Sequence, residues 1–486
     1  MIAINRILKN LSAVFFGDLF VKFSGMAIAI ILARYLGPED YGKYSFVIAG
    51  VFIFMVFSDF GLNDLIIRDV ARNHNLAPQY FISSLISKTI LSCLSIIFLI
   101  LYVYLMGYSE EIILYTIVFS ASILFIVLMN SITSIFKAFE QMGYVLLISI
   151  ISSAVLLVFI VSLVYFNGSL LQIIFFRVLA LLIGFIAGFI ILTKKIIKFK
   201  FSIDLSFIRR LLANAFPFLT NGIIHVLYLN TDIILLSKMK GALHVGWYTA
   251  AANDLFFGLF IIPAAISTIT YPIFSKQYKE DIDRLCNSSN FTIKILTILG
   301  VPISVGTFIL SPQIIHAIFG SQYENSITVL RIFSVAISFA FVRDPLGFAL
   351  AAIGKVKILM WLNIFFLALN IILNLILIPS YAEIGAAIAS VICILLSLPM
   401  TYYILKSRIN NLSMIKNYFK PILAALIMGS VVYALNGYNL IAVIFIGAII
   451  YGAAIFILGT FNPPELLILK NLIKRPPEST VSLQSK

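Results

Sequence analysis

Charged and polar side chains interrupt several long apolar stretches of this 486-residue chain, and they are the residues best placed to do chemistry. The first two are Asp18 and Lys22, which are four positions apart. On a helix they share one face and can pair. Two interpretations fit this spacing equally well: a structural ion pair that satisfies itself, or a pair that faces a hydrated cavity.

A second polar group lies in the stretch NAFPFLTNGIIHVLYLNTDIILL, where Asn214, Asn221, His225 and Asp232 recur at steps of seven, four and seven. These steps place the four side chains on one stripe of a helix, which must face protein or water. For Asp232, near one end of the stretch, solvation by lipid headgroups is an alternative. The position of His225 fits a hydrogen-bonded core histidine as well as it fits a substrate contact. A single histidine makes no metal site.

Five further cations lie within apolar stretches. Arg177 and Arg331 sit deepest, and they are expected to face a cavity because a lipid-facing charge costs about 2.5–3.5 kcal/mol. Arg343, Lys88 and Lys294 lie nearer the predicted ends, where snorkelling to the interface is an alternative to function. The guanidinium fork of arginine binds phosphate oxygens in pairs, so a cationic cavity favours an anionic substrate.

Sequence motifs of soluble enzymes are absent. The chain contains no GxxxxGK[ST], GxSxG or HExxH motif, and its three cysteines do not have the spacing of a metal or redox site. We therefore expect no cofactor, no metal and no ATP-hydrolysing motor. Transport would be driven by a coupling ion such as H⁺ or Na⁺, by substrate gradients, or by neither.

Composition identifies the elements that must position these residues. Hydrophobic residues make up 62% of the chain and charged residues 11%, and the mean hydropathy is +1.09. A soluble protein is nearer half apolar and a quarter charged, so the chain is predicted to be an all-α integral membrane protein. The net charge of +14 does not indicate nucleic acid, because no soluble domain is visible to carry a basic patch.

Apolar stretches of about 20 residues, the length that crosses a bilayer, predict fourteen transmembrane helices. With a cytoplasmic N-terminus, the cytoplasmic segments hold 24 Lys and Arg residues and the outer loops hold 4. This bias supports a multi-pass cell-membrane protein with both termini inside, and the first stretch is interpreted as a retained span. The predicted spans are 12–33, 44–66, 81–106, 112–132, 145–166, 170–193, 212–236, 246–273, 290–311, 323–350, 356–378, 384–405, 420–436 and 439–459.

A weak internal repeat relates the two halves. Shifting the chain by about 204 residues matches Gly42 to Gly246 and Tyr44 to Tyr248, each in the first outer loop of its half. The longest and most basic linker separates the halves, and it is expected to lie along anionic headgroups. The predicted organisation is a first lobe (1–193), a basic cytoplasmic linker (194–211), a second lobe (212–405), a helix pair (406–461) and a cytoplasmic tail (462–486).

Three blocks carry a family resemblance. LARYLGPEDYGKYSFV with FSDFGLNDLIIRDVAR, the stretch from PFLTNG to YTAAANDL, and the stretch from AAIGKV to IGAAIAS resemble polysaccharide biosynthesis flippases, the O-antigen and lipid-linked oligosaccharide translocases. One departure is Ala382, where the family often has glycine. The matching positions are Pro217, Asp232, Gly246, Tyr248, Gly354, Lys355, Asn370, Asn374, Ile378, Pro379, Gly385, Ala386 and Ala387.

The resemblance implies two six-helix lobes in a V around a central cavity, with a C-terminal helix pair added, in the superfamily that also contains multidrug and oligosaccharidyl-lipid exporters. It implies a transporter that flips an undecaprenyl- or dolichyl-pyrophosphate-linked oligosaccharide from the cytoplasmic to the outer leaflet by alternating access, with membrane lipids around it. From their positions within the membrane, the candidate cavity residues are Asp18, Lys22, Arg177, Asn221, His225, Asp232, Arg331 and Arg343.

Two other functions remain open. A cation-coupled multidrug exporter of the same superfamily predicts a carboxylate-rich cavity, whereas the first half offers mainly Asp18. A membrane polysaccharide polymerase or glycosyltransferase predicts a large outer loop with polar catalytic residues. Every predicted outer loop is short, at most about a dozen residues by the bilayer-length rule, which argues against the enzyme.

Overall fold

The computed structural model describes residues 2–196, 204–409 and 412–461, apart from the side chains of residues 2–16, 18, 19 and 415. A π-helical segment (Ala250–Phe256) and a short 3₁₀ segment (Phe257–Phe260) join the helix that ends at Thr249 to the helix that begins at Ile261. The α-helices of this part of the chain are α1 Ile2–Asp59, α2 Leu62–Arg72, α3 Ala77–Leu105, α4 Glu110–Ala138, α5 Met142–Tyr165, α6 Leu170–Lys195, α7 Leu205–Lys240, α8 Ala242–Thr249, α9 Ile261–Glu280, α10 Ile282–Ile318, α11 Asn325–Ala352, α12 Val356–Lys406, α13 Ile415–Ala434 and α14 Leu440–Ile457.

Helix α1 is a hairpin of two crossings. Its backbone breaks at Gly37, whose φ of 72° and ψ of 172° lie outside the helical region, and Pro38 follows. Gly25 and Phe52 line the same cavity, although 27 residues of straight helix would separate them by about 40 Å. The chain therefore reverses at Gly37, and glycine suits the turn because it adopts a positive φ without steric cost.

Helix α12 reverses in the same way at Ala382, which has φ 47° and ψ −126°. A Cβ added to Gly385 would lie 2.5 Å from the carbonyl oxygen of Leu377, so the two arms touch just beyond the turn. Twelve helical segments of the described chain are long and apolar enough to cross a membrane. Since two of them are hairpins, the twelve correspond to fourteen crossings, and the predicted all-α membrane fold is confirmed.

The helices pack as two groups. Helices α1 to α6, called here the N-half, contact one another, and α7 to α12, called here the C-half, contact one another, while α1 also packs against α7 and α8. Helix α13 packs against α10, and α14 packs against α13 and α10, so the last two helices flank the C-half. Residues 197–203 of the predicted linker and the predicted tail (462–486) lie outside the described residues.

The two ends of the bundle are named here for groups that lie at them. At one end, here the glycine end, the chain turns at Gly37, Gly241 and Gly320, whose φ values are 72°, 91° and 92°. The opposite end, here the basic end, contains α2 and the ends of α6 at Lys195 and α12 at Lys406.

The N-half and C-half meet closely at the glycine end, where α1 packs against α8. A Cβ added to Gly42 would overlap the carbonyl oxygen of Ala242, and one added to Gly246 would overlap the carbonyl oxygen of Pro38. The contact is reciprocal, because positions 38 and 42 are each 204 residues before positions 242 and 246. The repeat positions matched in the sequence therefore touch each other across an approximate two-fold relation.

The second crossing ends earlier than predicted. It was expected to reach residue 66, but α1 ends at Asp59 and the separate helix α2 follows. The side chain of Lys88 is fully buried, and its Nζ lies 2.9 Å from Asp59 Oδ1 and 2.7 Å from Asn63 Oδ1. Ser134 also donates to Asn63 Oδ1, at 3.3 Å. The snorkelling alternative for Lys88 is wrong, since this buried network joins α1, α2, α3 and α4.

Candidate functional site

A cavity of about 510 Å³ lies within the C-half. Four of the predicted site residues line it: Asn221, His225 and Asp232 from α7, and Arg343 from α11. The steps of seven and four along α7 hold the first three on one stripe, as the sequence indicated. The structure thus brings these four side chains to the lining of one cavity, which we call the C-half cavity.

Arg343 carries the positive charge of the C-half cavity. Its Nη2 donates to Asn363 Oδ1 at 3.3 Å, and its Nη1 lies 3.5 Å from Asp344 Oδ1. About a quarter of its side chain, 26%, remains exposed. The guanidinium therefore keeps donors available to an anion in the cavity, because an arginine has five N–H groups and these contacts use two.

Asp232 is the most strongly held polar group of the cavity. One carboxylate oxygen accepts from the Tyr248 hydroxyl at 2.6 Å and from the Ser390 hydroxyl at 2.5 Å. The other accepts from the Asn374 amide at 2.6 Å, and that amide also lies 3.0 Å from Asn370 Oδ1. Helices α7, α8 and both arms of α12 thus converge on one buried carboxylate.

All the donors to Asp232 are neutral. No Lys, Arg or His of the described chain pairs with Asp232, and Asn374 Oδ1 is buried without a hydrogen-bond partner. Buried carboxylates are ordinarily paired with a cation or protonated. The described residues form no cluster of three or more His, Cys, Asp or Glu side chains. With its single carboxylate, this cluster suits a proton or a monovalent cation.

The second cavity, of about 210 Å³, lies between the halves and is called here the interhalf cavity. Arg177 from α6 lines it and donates to the Tyr44 hydroxyl, with its guanidinium 5.5 Å from the Tyr44 ring. Tyr41 donates to Asp254 Oδ2 at 2.6 Å, and this hydrogen bond joins the N-half to the C-half. Asp254 lies in the π-helical segment, a local distortion often found at functional sites.

The remaining predicted residues lie elsewhere. Arg331 is exposed, and its Nε donates to Ser311 Oγ at 3.0 Å. Lys22 is exposed on α1, and the side chain of Asp18 lies outside the described residues. Neither Arg331 nor Lys22 lines the C-half cavity or the interhalf cavity.

Sequence reasoning did not select several residues of these cavities. Asp254 is a single carboxylate in an apolar stretch, and that signal alone could have identified it. Ser390 and Asn363 carried no such signal, because a neutral hydroxyl or amide is common in membrane helices. Tyr248 was noted as a repeat match and as part of a family block, but not as a donor to Asp232. Asn374 was noted only as part of a family block, although its spacing of four from Asn370 places both on one face.

Comparison with known proteins identifies the family. A family model described as polysaccharide biosynthesis protein matches residues 7–278, more than half of the chain. The chain belongs to the polysaccharide biosynthesis protein family. A second model, MatE, matches residues 217–376, which include most of α7, all of α8 to α11 and the first part of α12.

Two sequence relatives agree with this family assignment, and a solved structure shares the fold. The chain is 23% identical over 419 residues to the capsular polysaccharide biosynthesis protein CapF of Staphylococcus aureus, covering 82% of this chain and 99% of that protein. It is 26% identical to a candidate O-antigen transporter of Shigella flexneri, over 74% of this chain and 88% of that one. A solved structure of the lipid II flippase MurJ superposes with a TM-score of 0.77 at 19% identity, covering 95% and 99% of the two chains.

Proposed function

We propose that this protein is a flippase that moves a lipid-pyrophosphate-linked oligosaccharide from the cytoplasmic to the outer leaflet by alternating access. The observation that carries the proposal is Arg343, a partly exposed guanidinium in a 510 Å³ cavity within membrane-crossing helices. A pyrophosphate is the anionic group that such a fork binds in pairs of hydrogen bonds. The names of the relatives, which refer to capsular polysaccharide, O-antigen and lipid II, support a lipid-linked glycan as cargo.

The two cavities suggest how the cargo is divided. Arg343 in the C-half cavity and Arg177 in the interhalf cavity offer positive charge to the pyrophosphate. The polyprenyl chain, of the undecaprenyl or dolichyl type, would stay in the bilayer beside the helices, because its transfer into a polar cavity is unfavourable. The sugar would occupy the polar wall of Asn221 and His225.

The basic end is proposed to face the cytoplasm, with both termini inside. This orientation rests on the 24-to-4 division of Lys and Arg between the two sets of predicted loops. The glycine end then faces the outside. Reporter fusions at the C-terminus test it, and a C-terminal reporter found outside would contradict it.

The experiment replaces Arg177 and Arg343 by glutamine, singly and together, and measures surface polysaccharide in a strain that depends on this chain. We expect the double variant to lose export at unchanged protein abundance. Arg331→Gln is the matched control, since Arg331 is an arginine of the same membrane domain that lines neither cavity. Normal export in the double variant would contradict the proposal, as would equal loss in the control.

We also propose that Asp232 binds the coupling ion, H⁺ or Na⁺. The support is a buried carboxylate with three neutral donors and the unpartnered Asn374 Oδ1 beside it. Asp232→Asn should make transport in proteoliposomes insensitive to an imposed H⁺ or Na⁺ gradient, whereas transport by the parent protein should respond to one of these two gradients. Equal gradient dependence in the variant would contradict this role.

A cation-coupled multidrug exporter is the second candidate, favoured by the MatE match over residues 217–376. It predicts that expression in a sensitive strain raises resistance to cationic dyes. The flippase predicts no such resistance and a requirement for the chain in polysaccharide export. Measuring both in one strain separates the two functions.

A further inference from the structure

The glycine end has two exposed cations that occupy equivalent positions in the internal repeat. Arg34 and Lys238 are 204 residues apart, the same shift that relates Pro38 to Ala242 and Gly42 to Gly246. Each lies at the end of its helical arm, just before the turn at Gly37 or Gly241. The two-fold relation seen at the Gly42 and Gly246 contact therefore also holds for these two cations at the surface.

Each of these cations crosses to the other half. Arg34 of the N-half donates to two carbonyl oxygens at the end of α10, those of Ala317 and, at 2.6 Å, Ile318. Lys238 of the C-half donates to the carbonyl oxygen of Met106, which directly follows the end of α3. Since α3 and α10 are each the third crossing of their half, the two contacts are related by the same approximate two-fold.

The acceptors suit cations for a physical reason. The last carbonyls of a helix have no partner within the helix, and they carry the negative end of its dipole. A cation there is stabilised at any pH at which Lys and Arg remain charged. The two contacts therefore use no carboxylate, and they leave the acidic residues of the cavities available for other roles.

Below these contacts the halves are joined by buried groups. Tyr323 of the C-half donates to the carbonyl oxygen of Ala33 at 2.8 Å, and Tyr41 donates to Asp254 at 2.6 Å. The interhalf cavity begins at this level, since Tyr41 and Asp254 line it. Arg34 and Lys238 thus lie between the aqueous surface of the glycine end and the interhalf cavity.

We propose that Arg34 and Lys238 are paired latches that hold the glycine end shut and set how readily the interhalf cavity opens to that side. They are positioning residues, because they act on the relative placement of the two halves and touch neither cavity. In the flippase proposed above, on which this role rests, they control release of the cargo into the outer leaflet. Both latches must break when the end opens, so their effects on the opening equilibrium should multiply.

The test labels a cysteine in the interhalf cavity. Cys93, Cys286 and Cys393 are replaced by serine, and Ser45, a cavity residue that is 6% exposed, is replaced by cysteine. A membrane-impermeant maleimide is applied to sealed vesicles of both orientations. In a parallel sample, Asn436→Cys in the exposed turn between α13 and α14 reports which face of the vesicle is the glycine end. That turn lies at the glycine end because the later part of α13, at Gly429, packs against Val305 and Ile309 in the later part of α10.

We expect Arg34→Gln and Lys238→Gln each to raise the rate of labelling from the glycine end about two- to fivefold, the effect of one cation at a helix C-terminus. The double variant should raise it on the order of tenfold. Arg34→Lys combined with Lys238→Arg keeps both charges and should label close to the parent rate. Lys240→Gln is the matched control, because Lys240 is an exposed cation at the end of the same helix as Lys238.

An unchanged labelling rate in the double glutamine variant would overturn the proposal, as would an equal increase in the Lys240 control. Purified variants with the parent's elution profile show that folding is intact. Labelling needs no substrate, so its result is independent of the cargo. If labelling changes as expected but polysaccharide export does not depend on the chain, the proposed role of Arg34 and Lys238 is supported and the proposed flippase function is contradicted.

Discussion

Replacing Lys88 by methionine should destabilise the N-half strongly. Methionine has a similar length and fills the same space, but it lacks the ammonium group that lies 2.9 Å from Asp59 Oδ1 and 2.7 Å from Asn63 Oδ1. The Lys88 side chain is fully buried and that of Asp59 is 22% exposed. The substitution therefore leaves a carboxylate and an amide oxygen facing an apolar side chain.

The size of the effect follows from this burial. Breaking a buried ion pair by removing one partner costs about 3–5 kcal/mol, because the other charge remains buried and uncompensated. Water reaches part of the Asp59 carboxylate, so we expect a loss of about 2–4 kcal/mol in the free energy of unfolding. Adding Asp59→Asn removes the stranded charge, and the double variant should regain about half of the loss.

The assay is reversible denaturation of the purified chain in detergent micelles, with the two single variants and the double variant forming a double-mutant cycle. Lys22→Met is the matched control, since Lys22 is an exposed lysine of a membrane-crossing helix. We expect the control to change the free energy of unfolding by less than about 0.5 kcal/mol. If Lys88→Met cost no more than the control, or if the cycle gave no coupling between Lys88 and Asp59, the inferred buried pair would be refuted.

Three further substitutions test other parts of the structure by the same denaturation assay or by hydrogen exchange. Gly385→Ala should lower the free energy of unfolding by about 1–3 kcal/mol, because the added methyl group meets the opposite arm of the α12 hairpin. Gly306→Ala is the control, since nothing lies within 4 Å of its added methyl group, and it should leave that free energy unchanged or raise it. Equal effects of the two substitutions would contradict the hairpin. Tyr248→Phe removes one of the three hydrogen-bond donors to Asp232 and should lower the free energy of unfolding by about 1–3 kcal/mol. An unchanged free energy of unfolding would argue against the hydrogen-bonded cluster around Asp232. Ser169→Ala removes a capping box and should cost about 1 kcal/mol, seen as faster amide exchange in the first turn of α6 with unchanged exchange at its last turn.

The stripe on α7 shows how far sequence reasoning reached into the site. The steps between Asn221, His225 and Asp232 depend only on helix geometry, so their common wall could be predicted before any tertiary contact was known. The prediction that Arg331 belongs with them had no such basis, because depth within a stretch does not determine which way a side chain points. Arg331 instead contacts Ser311 on the neighbouring helix α10.

Lys88 shows the opposite case. Its position near the predicted end of a span made snorkelling a reasonable alternative, since a lysine stem is long enough to reach the interface. The short helix α2 and the end of α1 at Asp59 place two oxygen acceptors beside it, and the ammonium group is buried instead. Its partners are 25 and 29 residues away along the chain, so the local pattern could not identify them.

The sequence by itself determined that this is an all-helical membrane protein with fourteen crossings, because hydropathy is a local property of the chain. The 204-residue repeat, a pairwise property, predicted two related halves. Only the tertiary structure decided that Gly42 and Gly246 abut the opposite half at the same contact, and that Asp232 gathers donors 142 and 158 residues away. The physical reason is that periodicity fixes the face of a helix on which a residue lies. The packing of that face against others determines what the residue meets there.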